Sequence, residues 1–387
     1  MPWIAGHTSS APIIRPPWIA SPTPLSWYNR ITLAQPPEPL DLSMSRRQKP
    51  KAIDLFCGCG GLSVGLRDAG FSVVGAVDAD RLASDTYKMN HRSTVVLQES
   101  VVDVDPEELM ADLGMKPGVL GLLAGCPPCQ GFSKLRTLNG RKDVEEPMND
   151  LIFQFTRFMK VFKPKTIMIE NVPGLVDDGR LTRFRGSLSR AGYKSRVGVF
   201  DAADFGVPQR RRRMILMAAL AERPEFAPPE LERATVRSAI AGLPPPGGAD
   251  DPAHDYPVSR APHVQELISR VPKDGGSRSS LGKDAQLPCH RKCDGFNDVY
   301  GRMSWSEPSP TITGGCINPS KGRFLHPEQD RAITIREAAL LQGFPRDYRL
   351  DMSRGRYPTA QMIGNAFPPK FAARHAAMLR SIISRSG

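Results

Sequence analysis

The most reactive constellation in this chain is a thiol set between two prolines and a glutamine. Gly125-Cys126-Pro127-Pro128-Cys129-Gln130-Gly131-Phe132-Ser133 follows an apolar run, Val119 to Ala124, that reads as a buried strand. Neither proline offers a backbone N–H, so the strand must end there and present Cys129 at the sheet edge. Open α/β sheets bind ligands at the carboxyl ends of their strands. A cysteine at that rim is placed to react, whereas one sunk in the core would be an inert thiol. Glu170 ends a second apolar run, Thr166 to Ile169, and belongs to the same rim. In Gln209-Arg210-Arg211-Arg212-Arg213, which enters the strand Met214 to Ala218, period-two alternation puts Gln209, Arg211 and Arg213 on one face. Arg210 and Arg212 then point the other way.

The elements that must hold these groups are legible around them. Ala52 to Phe56 reads as a strand that runs into Cys57-Gly58-Cys59-Gly60-Gly61 and then a helical pattern from Leu62 to Ala69. Glycines let the backbone approach a ligand, and the helix N-terminus offers free N–H groups to it. Phe71 to Val77 is a second strand ending in Asp78, an acidic group about twenty residues after the glycine turn, placed to accept both ribose hydroxyls of an adenosine. Leu82 to Met89 reads as a helix, Thr94 to Leu97 as a strand, Glu107 to Leu113 as a helix and Leu151 to Val161 as another. This alternation predicts a doubly wound α/β sheet. Residues 134–148 are polar and read as a moving loop beside the site.

Composition narrows the function classes. The chain has 387 residues, 40% of them apolar, and a formal charge of +12, so a sizeable core can form under a surface that favours polyanions. Seven cysteines make no dense framework, which points to free thiols in a reducing, cytoplasmic setting. No apolar run has the length of a membrane span and no signal-peptide pattern is present. Residues 1–50 are rich in Pro and Ser without a period and read as a disordered extension. Met44 offers an alternative start that would leave 1–43 untranslated; the rival is an arm that folds on a partner. Residues 51–219 read as the main part of a catalytic domain and 220–331 as a separate irregular, loop-rich domain. Residues 332–387 return to the first domain, with helices over Ile335–Leu341 and Lys370–Ile383.

Taken together, these stretches resemble the DNA cytosine-5 methyltransferases, specifically those of bacterial restriction-modification systems. The resemblance is carried by Asp54-Leu55-Phe56-Cys57-Gly58-Cys59-Gly60-Gly61, by Pro128-Cys129-Gln130 and by Glu170-Asn171-Val172. It continues through Gln209-x-Arg211-x-Arg213, Arg336-Glu337 with Gln342-Gly343-Phe344-Pro345, and Gly364-Asn365, and covers most of residues 51–387 in the family's order. Cys59 and Cys126 stand where the family more often has small residues, and Phe367 replaces a usual aliphatic. The acidic group expected near the third strand stays unassigned among Glu99, Ser100 and Asp103.

The resemblance implies a Rossmann-like, S-adenosylmethionine-dependent methyltransferase sheet with a smaller target-recognition domain at 220–331. It implies methyl transfer to C5 of a flipped-out cytosine in double-stranded DNA. Cytosine C5 is a weak nucleophile until a thiolate adds at C6. By resemblance Cys129 is that thiolate, Glu170 holds N3 and N4, Arg213 holds O2, and Arg211 supports the site; a nearby guanidinium also favours the thiolate. Phe56, Gly58, Gly60, Asp78, Leu151 and Asn365 would hold the methyl donor. Gln130, Ser133, Gln209 and Thr311 would lie against DNA, with Thr311-Ile312-Thr313 similar to the family's short threonine motif. The expected partners are double-stranded DNA and a restriction endonuclease acting on the same site without a stable complex; the protein is expected to be a monomer, without a metal. Three other readings compete. Cys126-x-x-Cys129, with Cys289, His290, Cys293 and Cys316, has metal-type elements. A catalytically dead DNA-binding module would keep the charge but has no need of Cys129, Glu170 and Arg213. An RNA methyltransferase would use the same scaffold, although the long interval between Arg213 and Arg336 better suits a DNA reader.

Overall fold

Short runs of β-branched and aliphatic residues build the central layer, with Asp78 closing β2 and Gly125 and the prolines after it closing β4. The structure is a computed structural model and describes residues 48–128, 147–282 and 298–386. The strands are β1 (Lys51–Leu55), β2 (Ser72–Val77), β3 (Val95–Leu97), β4 (Leu122–Gly125), β5 (Thr166–Asn171), β6 (Lys194–Asp201) and β7 (Arg212–Ala219). They form one seven-stranded sheet in the order β3-β2-β1-β4-β5-β7-β6. The first five strands are parallel, and β7 lies antiparallel between β5 and β6. From β1 the chain winds outward to β2 and β3, then crosses back to place β4 beside β1. The crevice at the carboxyl ends of β1 and β4 is therefore the switch point where such sheets bind ligands.

Period-two alternation gives the sheet two apolar faces. Ile53, Leu55, Leu123, Ile167, Ile169, Met214 and Leu216 pack against α3 (Pro106–Asp112), α4 (Gln154–Phe162) and α5 (Gly179–Arg190). Ala52, Leu122, Ala124, Met168, Ile215 and Met217 face the opposite layer, where α1 (Gly61–Asp68) and the C-terminal α10 (Pro369–Arg385) lie. Helix starts are fixed by side chains that satisfy free N–H groups. Asp80 accepts from Ala83 at the start of α2 (Arg81–Asn90), and Thr334 and Glu337 form a reciprocal capping box at α8 (Ile335–Gln342).

Some elements depart from the sequence expectation. The helix expected from Leu151 begins as a 3₁₀ turn over Pro147–Phe153, because Phe153 offers no side-chain cap, and becomes α-helical only at Gln154. Helix α5 and strand β6 were not anticipated; α5 is capped by Asp178 and buries Leu181, Phe184 and Leu188. The stretch 220–331 is irregular as read. It holds only the short α6 (Val236–Ile240), α7 (Pro262–Arg270), 3₁₀ turns and isolated bridges among its described residues. Its residues Val236, Met303, Trp305, Ile312 and Cys316 share one core with Cys59, Leu82, α8 and α9 (Arg356–Asn365). Residues 48–387 form one compact unit. Among the described residues no helix is long and apolar enough to cross a membrane.

Candidate functional site

At the end of β1 the backbone turns abruptly. Phe56 adopts a left-handed conformation (φ 59°) that is rare for a bulky side chain, and Gly58 follows at φ 52°. Such conformations persist where surrounding structure over-determines them. Here Cys57 N–H donates to the Val77 carbonyl (3.1 Å) and Gly58 N–H to Asp78 Oδ2 (2.7 Å). The other Asp78 oxygen accepts from Asp80 N–H (2.8 Å), so one carboxylate locks the turn to the end of β2. Burial raises the pKa of Asp78, an effect partly offset by these N–H donors. A side chain added at Gly58 would meet no atom within 4 Å, so this turn borders open space. The half-buried Phe56 ring stacks on Phe155 at a centroid distance of 6.3 Å. An open left-handed turn, an aromatic face and a carboxylate at the next strand end fit a nucleoside-bearing cofactor.

Beside it, β4 ends at Gly125, and Cys126 N–H donates to the Leu55 carbonyl (3.3 Å). Asn171, at the end of β5, donates its side-chain amide to the Pro127 carbonyl (3.0 Å) and pins the proline turn against the neighbouring strand. Cys129, Gln130 and Ser133, and most of the loop expected at 134–148, lie outside the described residues. Leu151 is half-buried in the 3₁₀ turn that follows.

Glu170 is nearly buried and its Oε1 lies 2.8 Å from Arg213 Nε. Register explains the pair: Glu170 sits opposite Ile215 in the antiparallel ladder, so Arg213 is its diagonal neighbour, within reach of a long side chain. Arg211 is buried too, donating from Nη1 to the Ile312 carbonyl (3.1 Å), while its Nε has no partner. Burial, together with the like charge of Arg213, pushes its guanidinium down to about 9, still charged at neutral pH. Burial first and the Glu170 charge second push the Cys126 thiol well above its ordinary value, so Cys126 stays protonated beside the site. Arg210 and Arg212 are exposed, as the alternation predicts.

Gln209 is fully buried and its amide is spent inside the protein. Its Nε2 donates to Gln342 and the Leu341 carbonyl, and its Oε1 accepts from Ile312 N–H (2.7 Å). Thr311 is half-buried and donates to the Arg210 carbonyl (2.7 Å). The segment around Ile312 is thus clasped from both sides by Gln209 and Arg211. Asn365 is exposed at the end of α9, its Oδ1 accepting from Gln361 (3.1 Å). The preceding Gly364 lies so close to Thr313-Gly314 that a Cβ would sit 2.4 Å from the Gly314 nitrogen. Gly60, at φ 94°, caps α1 against His91 and Tyr348. The structure thus brings Glu170, Arg211 and Arg213 together, sets Phe56, Gly58 and Asp78 at the adjoining strand ends, and ties Gln209 and Thr311 to the same stretch.

Sequence reasoning missed the groups that pin this arrangement. Asn171 stands in the quoted Glu170-Asn171-Val172 run, and its fixed place after Glu170 was the available signal. Asp201 accepts from Arg211 N–H (2.8 Å) and had no signal. Among the described residues no group of three or more His, Cys, Asp or Glu side chains stands together as a metal would require. Cys289, His290 and Cys293 lie outside those residues, and Cys316 is buried.

A doubly wound sheet with these groups at its rim is the α/β methyltransferase fold. Structures sharing it include a putative DNA modification methyltransferase encoded within a prophage (E. coli), at a TM-score of 0.66, 23% identity and coverage of 87% of this chain and 100% of that one. The S. pombe Dnmt2 methyltransferase matches at 0.57 and 18%, over 88% of this chain and all of the other. The model of the C-5 cytosine-specific DNA methylase family matches residues 50–380, and the chain belongs to that family. Similar relatives include the Type II methylase M.HgiDII of Herpetosiphon aurantiacus, 36% identical over 82% of this chain and 91% of its own length. The Type II methyltransferase M.DdeI of Desulfomicrobium norvegicum is 31% identical over 83% and 86%. The reaction of the family is methylation of DNA at cytosine C5, and the chain is an enzyme of that class.

Proposed function

We propose that the protein methylates C5 of a flipped-out cytosine within a specific duplex sequence, through a covalent bond from Cys129 to C6. The observation that supports this most is the buried Glu170–Arg213 pair at the end of β5, beside the proline turn that leads into Cys129. Glu170 holds N3 and N4 of the extruded base, and Arg213 holds O2. Arg211 keeps the pocket positive, which favours the Cys129 thiolate. Addition of the Cys129 sulfur at C6 moves the ring electrons to C5 and makes it nucleophilic. S-adenosylmethionine supplies an electrophilic methyl group, and Phe56, Gly58, Gly60, Asp78, Leu151 and Asn365 would hold it. Loss of the C5 proton and elimination of Cys129 then release 5-methylcytosine.

Residues 51–219 and 332–387 form the catalytic domain in this reading and 220–331 the recognition domain, with Gln130, Ser133 and Thr311 near the DNA. Gln209 acts from the interior, through its hold on Ile312. The names of the Type II relatives support a companion endonuclease acting on the same sequence, and in this reading the protein works as a cytoplasmic monomer. DNA carrying 5-fluorocytosine tests the chemistry, because fluorine cannot leave C5 as a proton does. The wild-type protein is expected to be trapped covalently and Cys129→Ser to be neither trapped nor active. Trapping of the Cys129→Ser protein would overturn the assignment.

A further inference from the structure

The side of the sheet away from the rim carries a groove for which the proposed reaction has no use. It has a volume of about 490 Å³ and runs between α5 and the start of β6, lined by Thr182, Arg185, Ser189, Lys194, Ser195 and Arg223. Register fixes its place. Lys194 pairs with Ala219, which pairs with Thr166 at the amino end of β5, four residues before Glu170. That is about 13 Å along the strand from the rim, at the opposite end of the sheet.

Charge is arranged around this groove in one sense. Helix α5 carries no acidic residue, and of its four arginines Arg185 lines the groove, while Arg180 is paired with Asp150 and Asp178. The nearby carboxylates are engaged elsewhere: Glu222 pairs with Arg385 and Glu225 with Arg196. Arg185, Lys194 and Arg223 are exposed and, among the described residues, form no ion pair with a carboxylate. Lys194 donates one N–H to the Ala221 carbonyl (3.0 Å), which anchors it and leaves two donors outward, and Arg185 Nε reaches the Ser195 hydroxyl (3.4 Å). Lys163 and Lys165, also exposed, continue the cationic surface at the same end of the sheet, where Leu220 N–H donates to the Lys165 carbonyl. Tyr193 also lines the groove, its hydroxyl spent on the Pro164 carbonyl (2.5 Å), and the guanidinium, ammonium and hydroxyl donors around it match a run of phosphates.

We propose that this groove binds the sugar-phosphate backbone of a second DNA duplex while the rim holds the first, so that the enzyme passes directly between DNA segments. The inference rests on duplex DNA being the substrate. It is tested on the full chain bound to a labelled duplex of mixed sequence, by following dissociation as unlabelled duplex is added. Direct transfer makes the wild-type dissociation rate rise with competitor concentration. In the triple variant Arg185→Gln/Lys194→Gln/Arg223→Gln the rate is expected to become independent of competitor, while methyl transfer to unmethylated bulk DNA keeps its wild-type kcat. The charge-keeping Arg185→Lys/Lys194→Arg/Arg223→Lys variant should retain the acceleration. The salt slope of second-duplex binding should fall by about 0.9 for each phosphate contact removed. A wild-type dissociation rate that ignores competitor, an equal dependence in the triple variant, or acceleration by single-stranded RNA but not by duplex, would overturn the proposal. Absence of methyl transfer by the wild-type protein, with competitor dependence intact, would instead count against the methylation reading.

Discussion

The rim of the sheet and the stretch from 236 to 331 are held together by different physics. At the rim, polar groups are positioned by strand register. Glu170 and Arg213 meet because β5 and β7 are paired at six positions, and Phe56 and Asp78 are fixed by the parallel pairing of β1 with β2. Each ladder shares the load over many backbone hydrogen bonds. The other region has no strand ladder among its described residues, only short helices, 3₁₀ turns and isolated bridges, and several of its backbone carbonyls converge on one side chain. Arg302 is fully buried and donates to the carbonyls of Val271 (2.9 Å), His326 (3.0 Å), Gln329 (2.6 Å) and Ile268 (2.8 Å), and to Asp330. Around it stands a small core of Leu267, Ile268, Val271, Val299 and Leu325. A ladder survives the loss of any one side chain, whereas a hub does not.

The largest effect expected from this contrast is at the hub. Arg302→Met keeps much of the volume but removes the buried guanidinium on which four backbone carbonyls and Asp330 converge. The Ile268 and Gln329 carbonyls keep a backbone N–H partner and Asp330 keeps Lys273, while the Val271 and His326 carbonyls lose the guanidinium donor. Removing one partner of a buried charged network costs about 3–5 kcal/mol. Urea denaturation should show that loss, together with increased proteolysis between 260 and 331. A change below about 1 kcal/mol would mean that the irregular region is held by its apolar cluster, and the distinction between ladder and hub would fail.

Asp54 tests the ladder side, since it is a polar group sunk in the middle of β1. It is wholly buried; Oδ2 accepts from Ser63 (2.6 Å), whose hydroxyl meets Tyr87 (2.7 Å), and Oδ1 has no partner. Burial pushes its pKa up from 3.8 to about 7. The folded protein therefore keeps this proton over a range where the unfolded chain has lost it. Stability from this group is complete below about pH 4 and falls as pH rises towards 7, by about 4 kcal/mol in all. His91, pushed down to about 3 mainly by burial, works in the opposite direction, with stability gained as pH rises from about 3 to 6.5. It is common to both proteins, so the difference between wild type and Asp54→Asn isolates Asp54. Unfolding free energies measured across this range should diverge, with the wild type losing stability relative to Asp54→Asn as pH rises. Parallel curves would mean that Asp54 is ionised in the folded protein.

The same contrast explains what was legible in the sequence. Strands β1, β2, β5 and β7 and helices α1, α2, α8 and α10 announce themselves, because apolar periodicity and capping residues are local signals. Glu170 and Arg213 could be read for the same reason: each is a fixed number of residues from an apolar strand. Strand β6 escaped because it lies at the edge of the sheet and its residues are mostly half-buried, which erases the alternation. Helix α5 escaped because its four arginines mask the three apolar residues that anchor it. The role of Gln209 was not legible at all. Its alternation with Arg211 and Arg213 is real, but its partners Ile312 and Gln342 lie more than a hundred residues away in sequence, and only the tertiary fold brings them together. Arg302 gave no signal either, being one arginine among many in a basic stretch.

The smallest expected effect concerns the arginine run, where the two kinds of region meet. Arg213 makes its contact through the ladder, Arg211 through the Ile312 carbonyl of the irregular stretch, and Arg210 and Arg212 face outward. In the proposed reaction Arg213 touches the base, and losing one charge-assisted hydrogen bond costs about 1.5–3 kcal/mol. Arg213→Ala should therefore lower kcat/KM by about 10- to 150-fold and, by leaving the buried Glu170 carboxylate without its partner, also lower the unfolding free energy, although β7 keeps its backbone pairing. Arg211→Ala should lower both, since it releases Ile312 from the clasp. Arg210→Ala and Arg212→Ala remove solvated charges and should stay within about twofold in turnover. The telling comparison is Arg211→Ala against Arg213→Ala in the same denaturation and turnover assays. If Arg211→Ala loses activity with unchanged stability, the clasp on Ile312 contributes nothing to holding the irregular stretch. If all four variants lose activity alike, side-chain alternation does not decide function in this strand.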